Sequence, residues 1–118
     1  MSKGKKREQS VIPVRLHPAA IGDLAILDPQ TQAHVAVIID KLNGKLHQQI
    51  VSLLDERSEP KVAQYERGSR GGPLRVVFAW APGELWFIGA FVKTSNAEGE
   101  RFMKRILPRA KQVKNLGK

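Results

Sequence analysis

Three histidines, His17, His34 and His47, are the side chains best suited to moving a proton near neutral pH. None of them stands in a motif. HxH, HExxH and Cys/His spacings are absent and the carboxylates are scattered, so no metal site is expected. The chain has no cysteine, which removes disulfides, thiolate ligands and a cysteine nucleophile together and points to a reducing compartment. Ser69 follows Gly68 without the GxSxG elbow of a serine hydrolase. His17, ahead of Pro18, reads as a cap or surface residue; His34 lies at the edge of an apolar helical stripe, and His47 opens a further helical stretch.

The cations are more informative. Arg75 lies inside a strongly apolar segment, on the strand face opposite Leu74, Val76 and Phe78, where an arginine is costly unless that face lines a polar groove. Lys93 ends the next apolar segment. Antiparallel pairing across Pro82-Gly83 brings Arg75 and Lys93 to the same end of a sheet. Arg67 and Arg70 flank the glycine-rich stretch leading into Arg75, so residues 61–75 and Lys93 can converge in a cationic mouth. Such a mouth suits a phosphodiester and the extra charge of a pentacoordinate phosphorane. The competing reading is a sheet edge blunted by Lys and Arg against aggregation. Gly68, Gly71 and Gly72 form neither GxGxxG nor GxxxxGK[ST], and a hairpin turn explains them better than a phosphate cradle.

The elements that must position these residues follow from periodicity. Ile12, Val14 and Leu16 alternate as in a half-buried strand, with Pro13 arguing for an edge or a strand start. Pro18 opens a helix with Ile21, Leu24 and Leu27 on one face. Asp28-Pro29 is an N-cap carboxylate followed by proline at N1, and Val35, Ile38, Ile39 and Leu42 fall at i, i+3, i+4 and i+7 until Asn43-Gly44 stops the helix. Leu46–Leu54 continues helical spacing through Ile50, Leu53 and Leu54. From Pro60 the period changes, and Gly68-Ser69-Arg70-Gly71-Gly72-Pro73 has a turn composition that separates elements. Leu74–Ala81 then places Leu74, Val76, Phe78 and Trp80 on one face, while Leu85–Val92 is apolar almost throughout, as in a central strand. Ser95 and Glu98 have capping-box spacing ahead of Phe102, Met103, Ile106 and Leu107, a stripe that Pro108 interrupts or kinks. Phe78, Trp80, Trp86, Phe87 and Phe91 are core candidates, one of which can be exposed for base stacking. The order predicts an α+β fold: an N-terminal strand and two to three helices packed on a small antiparallel sheet, with a C-terminal helix.

At 118 residues, with 42% hydrophobic and 26% charged side chains, the chain fits one globular domain, residues 11–118, behind a basic flexible arm at residues 1–10. No apolar run is long enough for a membrane span and the N-terminus lacks a signal-peptide core, so no membrane role is expected and the cytoplasm is the expected compartment. Charge is the outlier, 20 basic against 11 acidic residues, and it is concentrated at the ends. Residues 1–7 carry four cations and no acid, and residues 99–118 carry seven against Glu100, whereas the remainder is nearly neutral. A polyanionic partner follows, with a merely solvated surface as the alternative.

Leu74-Arg75-Val76-Val77-Phe78, then Ile88-Gly89-Ala90-Phe91-Val92-Lys93-Thr94-Ser95, then Arg109-Ala110-Lys111 resemble the HigB-type branch of the RelE toxin superfamily, which reads YRVFY, LHGFVKKT and ERAKKR at similar spacing. The resemblance is specific over residues 60–113 and weakens to pattern level over residues 11–56. It implies a RelE-like fold and the toxin of a type II toxin-antitoxin pair. It further implies an endoribonuclease that cleaves mRNA on the ribosome with no metal and no cofactor, the RNA 2′-hydroxyl attacking the adjacent phosphate. Its partners are then a cognate antitoxin, mRNA and the ribosome. Carried over by position, Arg75 matches the arginine that contacts the scissile phosphate, and Lys93 matches the lysine that ends the next strand. Arg67 joins them as a catalytic candidate, and Arg70, Lys61, Arg109 and Lys111 are RNA-binding candidates.

The sequence departs from that pattern in three places. Residues 95–118 contain neither the tyrosine nor the histidine that family members often place there as acid or base, Thr94 replaces a basic residue, and Leu74 replaces a tyrosine. His47 is the candidate left for proton transfer. The departures motivate a second reading, a non-catalytic nucleic-acid-binding module on the same fold, and a third, a protein-interaction domain whose basic surface meets an acidic partner.

Overall fold

The computed structural model describes residues 11–57, 62–69 and 72–116, with side chains described over 11–54 and 74–113. The arm expected at residues 1–10, and with it Lys61 and Arg70, lies outside the described residues. The elements in chain order are β1 (Val11–Ile12), β2 (Val14–Leu16), α1 (Pro18–Ala25), α2 (Pro29–Leu42), β3 (Lys45–Leu46), α3 (His47–Leu53), β4 (Asp55–Arg57), β5 (Val62–Ser69), β6 (Gly72–Ala81), β7 (Glu84–Val92) and α4 (Asn96–Leu116). The α+β expectation holds, and no helix of the described residues is long and apolar enough to cross a membrane.

The N-terminal strand is divided at Pro13. Ahead of it β1 pairs with β3 in a small two-stranded sheet, and behind it β2 joins the main sheet, ordered β2-β7-β6-β5-β4. β2 runs parallel to β7, with Val14 opposite Leu85 and Leu16 opposite Phe87, so the sheet is mixed rather than wholly antiparallel. The alternation of Ile12, Val14 and Leu16 therefore spans two sheets and does not define one buried face: Ile12 is buried but Leu16 is 45% exposed.

α1 is capped by His17, whose Nδ1 accepts the Ala19 N–H at 3.0 Å. His17 is thus a cap, and it is buried. Ala20, Leu24 and Leu27 at i, i+4 and i+7 form the inward stripe, which turns Ile21 out to 48% exposure. Asp28 caps α2, its carboxylate accepting both the N–H (2.8 Å) and the hydroxyl (2.9 Å) of Thr31. Those bonds, the backbone one foremost, hold the Asp28 carboxyl below its ordinary value. Asn43-Gly44 ends α2 with Gly44 at φ +79°, a conformation that favours glycine.

Glycine-rich residues 68–73 do not stand apart as a turn. β5 and β6 run through Gly68, Ser69, Gly72 and Pro73, pairing Ser69 with Gly72 and Gly68 with Pro73, so the hairpin turn is tighter than the composition suggests. β6 and β7 form the second hairpin around Gly83 at φ +75°. Its register shifts between Val77, opposite Gly89, and Phe78, opposite Phe87, which leaves Ile88 as the extra residue of a bulge.

The sheet separates two cores. One packs Leu74, Val76, Phe78, Leu85, Phe87 and Ala90 against Ala20 of α1, Val35, Ile38 and Leu42 of α2, and Ile50 of α3. The other packs Val77, Ala79, Ala81, Trp86, Ile88 and Phe91 against Ile106, Ala110 and Val113 of α4. At roughly 2 kcal/mol for each large apolar side chain, this burial is what offsets the ordering of the chain. α4 runs through Pro108 without interruption. The proline removes one intrahelical hydrogen bond, but Arg109, Ala110 and Val113 beyond it are buried against the rest of the fold and keep the last turns in place.

Candidate nucleic-acid interface

The register of the central hairpins locates the cationic residues. Leu74 is opposite Val92 on one side and Arg67 on the other, and the next rung holds Arg75 between Phe91 and Glu66. Lys93 follows Val92 directly. The backbones of Arg67, Arg75 and Lys93 therefore lie within three successive rungs at one end of the sheet, about 10 Å across at the usual strand spacing. This is the convergence expected from the Pro82-Gly83 turn. The Arg67 side chain lies outside the described residues.

Arg75 and Lys93 are both half-buried. Arg75 stands on the face that α4 covers, beyond the apolar row of Val77 and Ala79. Opposite it, Phe91 stacks on Phe102 of α4 with ring centroids 4.9 Å apart and planes inclined by 4°. The Lys93 stem lies along the first turn of α4, where a Cβ built on Gly99 would meet Cγ, Cδ and Cε of Lys93 at 3.4 Å. That turn is fixed by Ser95 Oγ, which accepts the Glu98 N–H at 3.1 Å, and by the Thr94 hydroxyl, which donates to the Glu98 carboxylate. Glu98 thus completes only half of the expected capping box, since Thr94 occupies its side chain. The positive end of the α4 dipole adds to the field of the two cations here.

Other candidates lie elsewhere. Arg109 was expected on an RNA-binding surface, yet it is buried, 9% exposed, with Nη1 donating to Asp23 Oδ2 at 2.7 Å and to the Ile88 carbonyl at 2.8 Å. The bulge explains this inward turn: Ile88 has no partner residue on β6, and the guanidinium satisfies its carbonyl while tying α1 to α4. Lys111 is exposed, but twelve residues of helix separate it from Gly99, about 18 Å. Lys61 lies outside the described residues.

His47 does not serve the cluster. It stacks on Trp80, centroids 4.7 Å apart, and Trp80 is about 17 Å along β6 from Arg75 and on the opposite face. Trp80 is also the least buried of the five strand aromatics, the others being enclosed in the two cores. His17 is occupied by its cap and by Gln112, whose Oε1 lies 2.8 Å from Nε2. Among the described residues no three His, Asp or Glu side chains converge as a metal site requires.

Two titratable residues escaped the sequence reading. Glu66 and Tyr65 occupy register positions opposite Arg75 and Val76, one strand spacing away. The available signal was Ser69-Arg70-Gly71-Gly72 read as a two-residue hairpin turn, since that alone fixes β5 against β6.

No protein-family model matches the sequence, and no curated protein matches it. Among solved structures, a free-state form of the Escherichia coli toxin RelE carrying two arginine-to-alanine substitutions is 13% identical. The alignment covers 81% of this chain and 98% of that one, with a TM-score of 0.56. The chain therefore has a RelE-like fold, with Arg75 and Lys93 at one end of its central sheet.

Proposed function

We propose that this chain is a toxin of the type II toxin-antitoxin class, an endoribonuclease that cleaves mRNA on the ribosome and is held in check by a cognate antitoxin. The observation that carries the reading is the placement of Arg75 and Lys93 two rungs apart at one end of a RelE-like sheet. Two cations there suit an RNA phosphate and the dianionic phosphorane that forms when the 2′-oxygen bonds to phosphorus and collapses as the P–O5′ bond breaks. The 2′-hydroxyl proton must leave and the 5′-oxygen must gain one. Glu66, opposite Arg75, is the titratable residue whose register suits such a transfer. Arg67 and Arg70 extend the phosphate-binding set, Lys111 serves as a peripheral RNA contact, and the Leu74–Phe78, Ile88–Ser95 and Arg109–Lys111 motifs support the HigB-type branch.

The test is induction of the protein alone in a bacterial host, wild type beside Arg75→Ala, with growth followed and mRNA 5′ ends mapped. Growth arrest with new ends that disappear in the variant is the expected result. Arrest and cleavage by a folded Arg75→Ala protein would remove Arg75 from the mechanism.

A second reading is a non-catalytic nucleic-acid-binding module. It is favoured by the placement of the three histidines, none of which shares the face and end of the sheet with Arg75. It predicts salt-dependent RNA binding without cleavage, even on translating ribosomes.

A further inference from the structure

The first turn of α4 overhangs the Arg75–Lys93 end of the sheet. The helix runs back over β7, so that Phe102 stacks on Phe91, the residue opposite Arg75, while Gly99, nearly one turn earlier, lies against the Lys93 stem. Glu98 stands four residues before Phe102, and at that spacing two residues share a helix face. Glu98 therefore projects from the side of α4 that meets the sheet, about 6 Å along the helix from the Phe91–Phe102 stack and toward Lys93. It is half-buried. Glu100, the other acid of α4, is turned about 200° round the helix and is exposed.

A carboxylate in the first turn of a helix is ordinarily explained by the helix dipole, and one beside a lysine by an ion pair. Here Ser95 Oγ already caps the turn by accepting the Glu98 N–H, and among the described residues no ion pair joins Glu98 to Lys93. The Glu98 carboxylate instead accepts the Thr94 hydroxyl. That bond orients the group and uses one of its roughly four acceptor positions. The Lys93 ammonium is left for a phosphate and the carboxylate for a proton.

We propose that Glu98 is the general base of RNA cleavage, taking the 2′-hydroxyl proton of the nucleotide whose phosphate Arg75 and Lys93 hold. The proposal rests on the ribonuclease reading above. In-line displacement puts the entering 2′-oxygen and the leaving 5′-oxygen on opposite sides of phosphorus. Glu98 stands on the Lys93 side of the two cations, and the register places Glu66 on the far side of Arg75. As the 2′-oxygen bonds to phosphorus its proton passes to a Glu98 oxygen, and as the P–O5′ bond breaks the 5′-oxygen takes a proton from the Glu66 carboxyl. The charged groups facing Glu98 are Lys93 from β7, Arg75 from β6, Glu66 by register from β5, and Arg101 one turn further along α4. This assignment supplies a proton acceptor on a helix that has neither histidine nor tyrosine.

The test uses the purified full chain on ribosomes programmed with an mRNA whose cleavage ends have been mapped, with single-turnover rates followed from about pH 5.5 to 8.5. The wild-type rate should rise with pH. Glu98→Gln, whose amide oxygen still accepts the Thr94 hydroxyl, should cleave about a hundredfold more slowly and lose that rise, and Glu98→Asp should restore the rise with part of the rate. Thr94→Val removes the hydroxyl bond but keeps the carboxylate, so it should be only about threefold slower, with the rise intact. Glu100→Gln should match the wild type. Circular dichroism and ribosome binding check that each variant is folded and still engages its substrate. Glu98→Gln cleaving within about threefold of the wild type, or slowing while keeping the rise, would overturn the proposal. So would Thr94→Val as slow as Glu98→Gln, which would make Glu98 a support of the turn. A wild type that never cleaves would overturn the ribonuclease reading, and this assignment with it.

Discussion

Replacing Arg109 by alanine should unfold this protein more readily without acting through RNA. The guanidinium donates to Asp23 Oδ2 at 2.7 Å and to the Ile88 carbonyl at 2.8 Å, and its side chain is 11% exposed. Truncation leaves a β7 carbonyl unpaired at a bulge, which costs about 1–3 kcal/mol. It also leaves the Asp23 carboxylate, 17% exposed, with Arg105 at 4.0 Å as its remaining cation. Breaking one partner out of a buried ion pair costs about 3–5 kcal/mol, but Arg105 and residual water reduce that here. The two losses overlap because one nitrogen makes both bonds, so about 3 kcal/mol is the expected total. For a domain whose whole stability is of order 5–15 kcal/mol this is a large fraction. Urea unfolding followed by circular dichroism should show a lower midpoint at unchanged slope. Asp23→Asn should be less damaging in the Arg109→Ala background than alone, because the pair has already been broken. A change below about 0.5 kcal/mol, accompanied by weaker RNA binding, would refute the inward role and return Arg109 to the surface.

Three further outcomes follow from the same geometry. Gly89→Ala would put a Cβ 2.6 Å from Ile106 Cδ1 and 2.8 Å from Cγ1, so it should destabilise by about 1–3 kcal/mol in thermal unfolding, and Ile106→Val should recover part of the loss. His47→Ala should leave mRNA cleavage unchanged, because His47 stacks on Trp80 on the far face; a large drop in mapped cleavage ends would place the imidazole in the reaction after all. Asp28 contributes to stability through a carboxyl held below its ordinary value of 3.8, so that contribution is present above the unfolded value and lost as pH falls through the folded one. Unfolding measured from pH 6 downwards should therefore show Asp28→Asn losing less stability than the wild type below about pH 4.

The parts of the fold that were legible in sequence are those written locally. Asp28-Pro29 and Asn43-Gly44 carry the start and stop of α2 in their own side chains and dihedrals, and the apolar run of Leu85–Val92 needs no neighbour to be read as a central strand. The placement of Arg75 with Lys93 was legible for the same reason, since one turn fixes one register. The errors fall where a distant element decides. Leu16 alternates correctly but joins an edge by parallel pairing to a strand some seventy residues on, and Ile21 loses the core to Ala20 because α1 sits on β7 by its smallest side chain. Arg109 is the sharpest case. Its sequence context is that of a basic surface helix, and only a one-residue bulge at Ile88, together with a carboxylate eighty-six positions away on α1, turns it inward. Cations are read from sequence by their number, but which of them are free to meet a phosphate is decided by the polar groups that folding would otherwise leave unpaired. Here that rule takes Arg109 away from the RNA-binding set and, with Asp23 neutralised, leaves α1 without an exposed charge beside the arginines of α4.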